Sequence, residues 1–228
     1  MPGGTMVQEE HQLGDFIKGR LQFIQEYSEG NGLDPKKMLD RIHEESLTLA
    51  GTKERADFLE KRFFRGAVLA TSYLPDWVDK VLLEAMTHVL KGPDAPLFTS
   101  SSRDSCIPFE AGRFNARRQA RSVFRLLYAG KTPDHWIGST FRVLYQKCYG
   151  EEAARDLKIE PIMDGHYRIS VDHHHLEKAT PVDCSTIVGY LYGSLEELGA
   201  KRIQVDHTAC ATRPGSAKRA CVFEVTWA

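Results

Sequence analysis

The sequence predicts an α+β fold: N-terminal helices packed on one face of an antiparallel sheet of about four strands, closed by a C-terminal strand–helix–hairpin unit. Three observations predict it. Apolar residues recur at helical spacing through the first half of the chain. The pattern switches to strict alternation after Lys158, and the pair Asp164-Gly165 there marks a tight hairpin turn.

Taken in order, Asp15 to Tyr27 places Phe16, Leu21, Phe23 and Ile24 in helical rhythm. Pro35, after Asp34 as a cap, opens a helix through Ile42. Ala56 to Ala70 is a third helix, and Pro75 begins a fourth that runs to Leu90. The stretch from Gly92 to Pro108, rich in proline and serine, reads as a loop. Helices over Asn115–Tyr128 and Pro133–Tyr149 follow, separated by Gly130. A hairpin then joins Ile159–Met163 to His166–His173. The expected organisation is a flexible start at residues 1–14 and a single ligand-binding-type domain over 15–228, with its loop at 92–108.

The last 45 residues carry the most chemistry. Asp183 can cap a helix whose apolar positions are Ile187, Leu191, Leu195 and Leu198, with Gly199 ending it. A helix from Cys184 to Gly199 rises roughly 22 Å, and a strand from Lys201 to His207 returns roughly 20 Å. His207 therefore lands near Cys184. Cys221 shares parity with Phe223, Val225 and Trp227, as His207 does with Ile203 and Val205, so both point to the apolar face. A turn after the first strand can aim Cys210 at the same point. Three thiolates and an imidazole make a closed tetrahedral set suited to a structural zinc. The competing reading of Cys184 and Cys221 is that of ordinary small core residues.

The run from Cys184 through Gly189, Gly193, Leu198 and Gly199 to His207, Cys210 and Cys221 resembles the C-terminal half of the 4-vinyl-reductase-type small-molecule-binding domain. The resemblance implies a ligand-binding sensor rather than an enzyme, with a zinc at these four positions. It also implies a homodimer that binds a small apolar or aromatic ligand and acts through a protein output partner. His207 stands where the aromatic sensors of that group carry an acidic ligand. Segments such as Ser72–Trp77 and Gly112–Ala116 resemble a poorly characterised bacterial group ending in the same helix and hairpin.

Composition narrows the classes further. Lys and Arg total 30 against 31 for Asp and Glu, so the net charge of -1 offers no electrostatic case for nucleic acid. Five cysteines, an odd number, argue against a disulfide framework and for a reducing cytoplasm. No apolar run approaches the roughly 18 residues of a membrane span. Gly-x-Ser-x-Gly, His-Glu-x-x-His and phosphate-loop motifs are missing, so no catalytic nucleophile stands out.

Aromatic residues on the predicted helices, Trp77, Phe124, Tyr128, Trp136 and Phe141 among them, form either a ligand pocket or plain core. In the triple His173-His174-His175, alternation lets at most His173 and His175 share a metal. Either could be the axial ligand of a tetrapyrrole, the alternative cofactor; the other reading is a solvated strand end. Arg117, Arg121 and Arg125 fall on one helical stripe, a solvated face or a site for an anion.

Overall fold

The computed structural model describes residues 11–66, 68, 69, 72–122, 124–172, 180–212, 216, 218 and 220–228. The strand β1 (His11–Leu13) pairs antiparallel with β2 (Tyr73–Pro75), so part of the expected flexible start is tied down. Between them run α1 (Gly14–Gly30), α2 (Pro35–Leu49) and α3 (Lys53–Phe58), the last continuing into a π-helical turn at Leu59–Phe64. Then come α4 (Asp76–Lys91), α5 (Ile107–Arg121), α6 (Arg125–Tyr128) and α7 (Pro133–His135). A second π-helical turn, Trp136–Thr140, leads into α8 (Phe141–Tyr149) and α9 (Glu151–Arg155). The rest is β3 (Leu157–Met163), β4 (His166–Asp172), α10 (Pro181–Glu197), β5 (Gln204–Ala209) and β6 (Ala220–Thr226). These four strands form one antiparallel sheet in the order β3-β4-β6-β5. The α+β class read from the sequence is the observed one.

Local chemistry explains the elements and the departures from expectation. Asp34 accepts the backbone N–H of Lys37 and caps α2 as expected. Gly165 takes a φ of 69° in the hairpin turn, and Gly199 a φ of 81° just beyond α10. Pro108 sits in the first turn of α5 rather than in a loop, so that helix begins eight residues before the expected Asn115. Proline is compatible with a helix there because its missing N–H would have no intrahelical partner. Thr180, not Asp183, is the N-cap of α10; the Asp183 carboxylate accepts the Thr180 backbone N–H at 2.9 Å.

Alternation along the strands sorts the sheet into two faces. Ile169, Val171, Val205, Cys221, Phe223 and Val225 are buried beneath the helices. On the outer face Arg168 donates to Glu224 at 2.7 Å, and His166 pairs with the same carboxylate. A separate apolar cluster of Phe23, Ile24, Met38, Ile42, Leu83 and Met86 joins α1, α2 and α4. No described helix is long and apolar enough to cross a membrane.

Glycine fixes how α10 lies on α5. A Cβ on Gly189 would stand 1.9 Å from the Phe109 carbonyl oxygen, and one on Gly112 would stand 2.2 Å from that of Thr186. The two backbones touch. Across the far end Arg113 and Arg117 both donate to Glu196, and Arg121 to Glu197. Of the predicted stripe Arg117, Arg121 and Arg125, the first two, with Arg113, link α5 to α10 by ion pairs, while Arg121 and Arg125 remain exposed to solvent.

This packing predicts opposite outcomes for two Gly→Ala changes. Alanine raises helix propensity by about 1 kcal/mol at either position. At Gly30, where a Cβ would meet nothing within 4 Å, stability in urea denaturation should hold or rise. At Gly189 the clash is with backbone, and overpacking should outweigh propensity for a net loss of about 2 kcal/mol or more.

Candidate functional site

The candidate site lies where α10 begins and the β5–β6 hairpin ends. Cys184 is in the first turns of α10 and Cys221 is the second residue of β6, paired across the sheet with Val171. His207 pairs with Phe223, and the β5–β6 register then shifts between His207 and Ala209. A bulge bends its strand. Here the chain turns so that Cys210, just past β5, comes back to the other three.

The potential ligand atoms of Cys184, His207, Cys210 and Cys221 all lie within 4.8 Å of one another, and all four residues are buried. The Sγ atoms of Cys184 and Cys221 are 3.5 Å apart. Around a tetrahedral zinc, sulfur and nitrogen ligands sit roughly 3.5–3.8 Å from each other, so small side-chain adjustments close the set on an ion. Among the described residues neither ring nitrogen of His207 has a hydrogen-bond partner, although both are buried. The ring is stacked on Phe223 at 4.5 Å between centroids and 14° between planes, with Phe98 on it at 5.7 Å.

Protons are unevenly shared among the thiols. Hydrogen bonding to Cys210 and Cys221, with burial, holds the Cys184 thiol well above its ordinary pKa. The bond from Cys184, aided by Thr212, brings Cys210 down to about 5. Thr212 Oγ1 lies 3.1 Å from the Cys210 sulfur, and the Ala211 N–H points at Cys221 Sγ at 3.4 Å. Sequence reasoning missed Thr212 and Phe98. Thr212 follows Cys210 closely enough to be suspected, but Phe98 lies in the segment before α5 and no local pattern marks it.

The predicted aromatic pocket is only partly assembled. Tyr128, Trp136 and Phe141 do come together, with ring centroids 5.3 and 5.6 Å apart along the series. Phe124 is half-buried against the same core. Trp77 belongs to another cluster, edge-on to Phe58 and beneath Arg55. Between α1, α8 and α10 lies a cavity of about 20 Å³ whose walls include Phe16, Phe141, Tyr145, Cys148, Tyr149 and Tyr190. Burial pushes the Cys148 thiol up to about 12. His173 and His175 lie outside the described residues.

No family profile and no curated protein matches the sequence. Solved structures do, H-NOX domains among them. A Cs H-NOX mutant carrying 4-cyanophenylalanine aligns with a TM-score of 0.56 at 11% identity, over 94% of this chain and 96% of the other. A T. tengcongensis H-NOX mutant gives 0.56 at 12%, over 94% and 96%. An oxygen-binding H-NOX domain related to soluble guanylate cyclases, in its oxygen complex, gives 0.54 at 12%, over 94% of each chain. At such identities the likeness is one of fold.

That likeness overturns the 4-vinyl-reductase-type resemblance read from the sequence, because the structures sharing this architecture over nearly the whole chain are H-NOX domains. The residues behind the resemblance were few. Two of them, Gly189 and Gly193, answer to the backbone of α5 and are dictated by helix packing.

The thiol energetics predict an order of modification in metal-free protein. At pH 7 iodoacetamide should label Cys210 first, as a thiolate, and Cys148 last, as a buried thiol. Labelling of Cys210 should fall off as the pH drops through about 5. Peptide mapping by mass spectrometry reads both.

Proposed function

We propose that this chain is a small-molecule-binding sensor domain built on the H-NOX fold, in which Cys184, His207, Cys210 and Cys221 hold a structural zinc. The observation that carries the metal is the buried imidazole of His207, whose two nitrogens have no partner among the described residues while three sulfurs converge beside it. A buried polar group without a hydrogen bond costs roughly 1–3 kcal/mol, and coordination removes that cost for the ligating nitrogen. Four protein ligands leave no open position for water, so the metal's part is to tie α10 to the hairpin. The sensing role is supported by the fold likeness. Like the predicted homodimer, it implies an output partner or a second copy.

A tetrapyrrole is the second reading, and the comparisons favour it over zinc as the guide to the ligand. The solved neighbours include an oxygen-binding domain and a study of heme distortion in the H-NOX family. The interior as packed does not fit such a group. Cofactor pockets measure roughly 300–1,000 Å³, against the cavity of about 20 Å³ here. No described histidine lines that cavity. Of the described histidines beyond His11, His43, His88 and His166 pair with Glu60, Glu45 and Glu224, His135 is at the surface beside Lys131, and His207 belongs to the cysteine set.

Two measurements on natively purified protein separate the readings. Zinc near one per chain and no Soret band is the expected result; iron with a Soret band would establish the tetrapyrrole reading. Cys210→Ser should lower both metal content and melting temperature, since metal bound only by the folded chain adds to its stability. Light scattering should give a mass near twice the 25.8 kDa of one chain.

A further inference from the structure

We infer that residues 97–106 form a strap whose seat on β5 is set by the metal, with Phe98 as the positioning residue for the His207 ligand. The inference rests on the metal reading above and extends it from structural support to a signal.

The strap runs along the free edge of β5. The His207 N–H donates to the Ser100 carbonyl at 2.8 Å, and the Ser102 N–H donates to that of Val205 at 2.8 Å. Ser101 Oγ donates to Asp206 at 2.6 Å, and Arg103 reaches Gln204 at 2.6 Å. At its start the strap also holds α10: the Thr99 N–H donates to the hydroxyl of Ser185, the neighbour of Cys184, at 2.9 Å. One short segment thus grips α10 and β5, two of the three elements that bear the set, then continues into α5.

The His207 ring shows why metal and strap would move together. A metal-bound imidazole almost always donates its second ring N–H to an acceptor, which fixes the ring's orientation. Among the described residues neither nitrogen of His207 has such a partner. Its orientation comes instead from two aromatic neighbours, Phe223 of β6 and Phe98 of the strap. Remove the metal, and a buried imidazole is left with no partner at either nitrogen, a state that water entry or rotation of the ring relieves. Either change takes away the surface against which Phe98 packs, and the strap loses its innermost contact. What remains at residues 100–103 is hydrogen bonds along the strand edge, which water can replace, while Thr99 keeps its bond to Ser185.

Arg103 provides the readout, because its side chain is exposed on the strap and its peptide bond is a trypsin site. Zinc-loaded protein should resist cleavage after Arg103, and chelator-treated protein should be cut there about 10-fold faster or more, since cleavage tracks the open population. Phe98→Ala should still bind one zinc but release it to a chelator about 10–100-fold faster, the usual effect of losing an outer partner of a ligand. Its cleavage at Arg103 should be fast with or without zinc, and Phe98→Tyr should restore both properties. Elemental analysis without zinc would sink the metal reading itself. Bound zinc with equal cleavage in the presence and absence of chelator would overturn the strap alone. So would cleavage spread over all lysines and arginines after chelation, which reports global unfolding.

Discussion

The backbone contact between α5 and α10 is the constraint on which the rest of the structure depends. Glycine in a helix interior costs about 1 kcal/mol relative to alanine, and Gly112, Gly189 and Gly193 place three such costs in one interface. Close approach offsets them, because two helices in backbone contact exclude water from the surfaces between them and bring long side chains together at the margin. Arg113 and Arg117 close on Glu196 at that margin. Once α10 is seated, its first turns can stand only where Cys184 meets the hairpin, and its middle supplies Thr186, Ile187 and Tyr190 to the cavity.

Polar groups organise the helical layer in a second way. Arg20 is fully buried and bound to Asp79 through two hydrogen bonds of 2.7 and 2.8 Å, locking α1 to α4. Breaking such a pair from one side leaves an uncompensated buried charge, so it specifies register more surely than it adds net stability. Nearby, Gln119 donates to Asp15 and accepts from the Tyr190 hydroxyl, which meets Tyr128, which in turn meets Ser194. This chain of hydroxyls and amides gives the buried hydroxyls of Tyr128 and Tyr190 their partners. It also explains why Tyr128 and Tyr190 are core tyrosines, with burial pushing the hydroxyl of the first up to about 12.

The C-terminal unit was the most legible part in the sequence, because helix rise, strand rise and side-chain parity are geometric and nearly free of context. They bring Cys184, His207 and Cys221 together on paper, and the bulge after His207 supplies the bend that Cys210 needs. The helical layer was harder to read for definite reasons. Pro108 signals a break or a helix start depending on what precedes it, and Ser122 ends α5 inside a stretch that looks continuously helical. The π-helical turns at Leu59–Phe64 and Trp136–Thr140 shift the helical phase, so period counting lost track of which aromatic faces which. Trp77 and Trp136 are read as lining one pocket on the strength of the family resemblance, although they pack in different clusters. The strap was illegible, since its contacts with β5 join residues about a hundred positions apart.

The same ties hold the walls of the cavity unequally. Movement of α10 would strain its glycine contact with α5 and disturb the cysteine–histidine set at once. Movement of α1 would break the buried Arg20–Asp79 pair and the bonds from Arg118 to Asp15. The third wall, α8, is held differently: Arg142 donates to the carbonyls of Ala154 and Leu157, and its C-terminal end meets Tyr73 through a hydrogen bond to Lys147. These are contacts with the short α9, the start of β3 and an exposed tyrosine, and α8 enters from a π-helical turn and leaves through Gly150 at a φ of 93°. A helix bounded by a wide turn and a glycine can shift without breaking a buried charge. Of the three walls, α8 is therefore the one whose polar ties run to backbone carbonyls rather than to buried ion pairs.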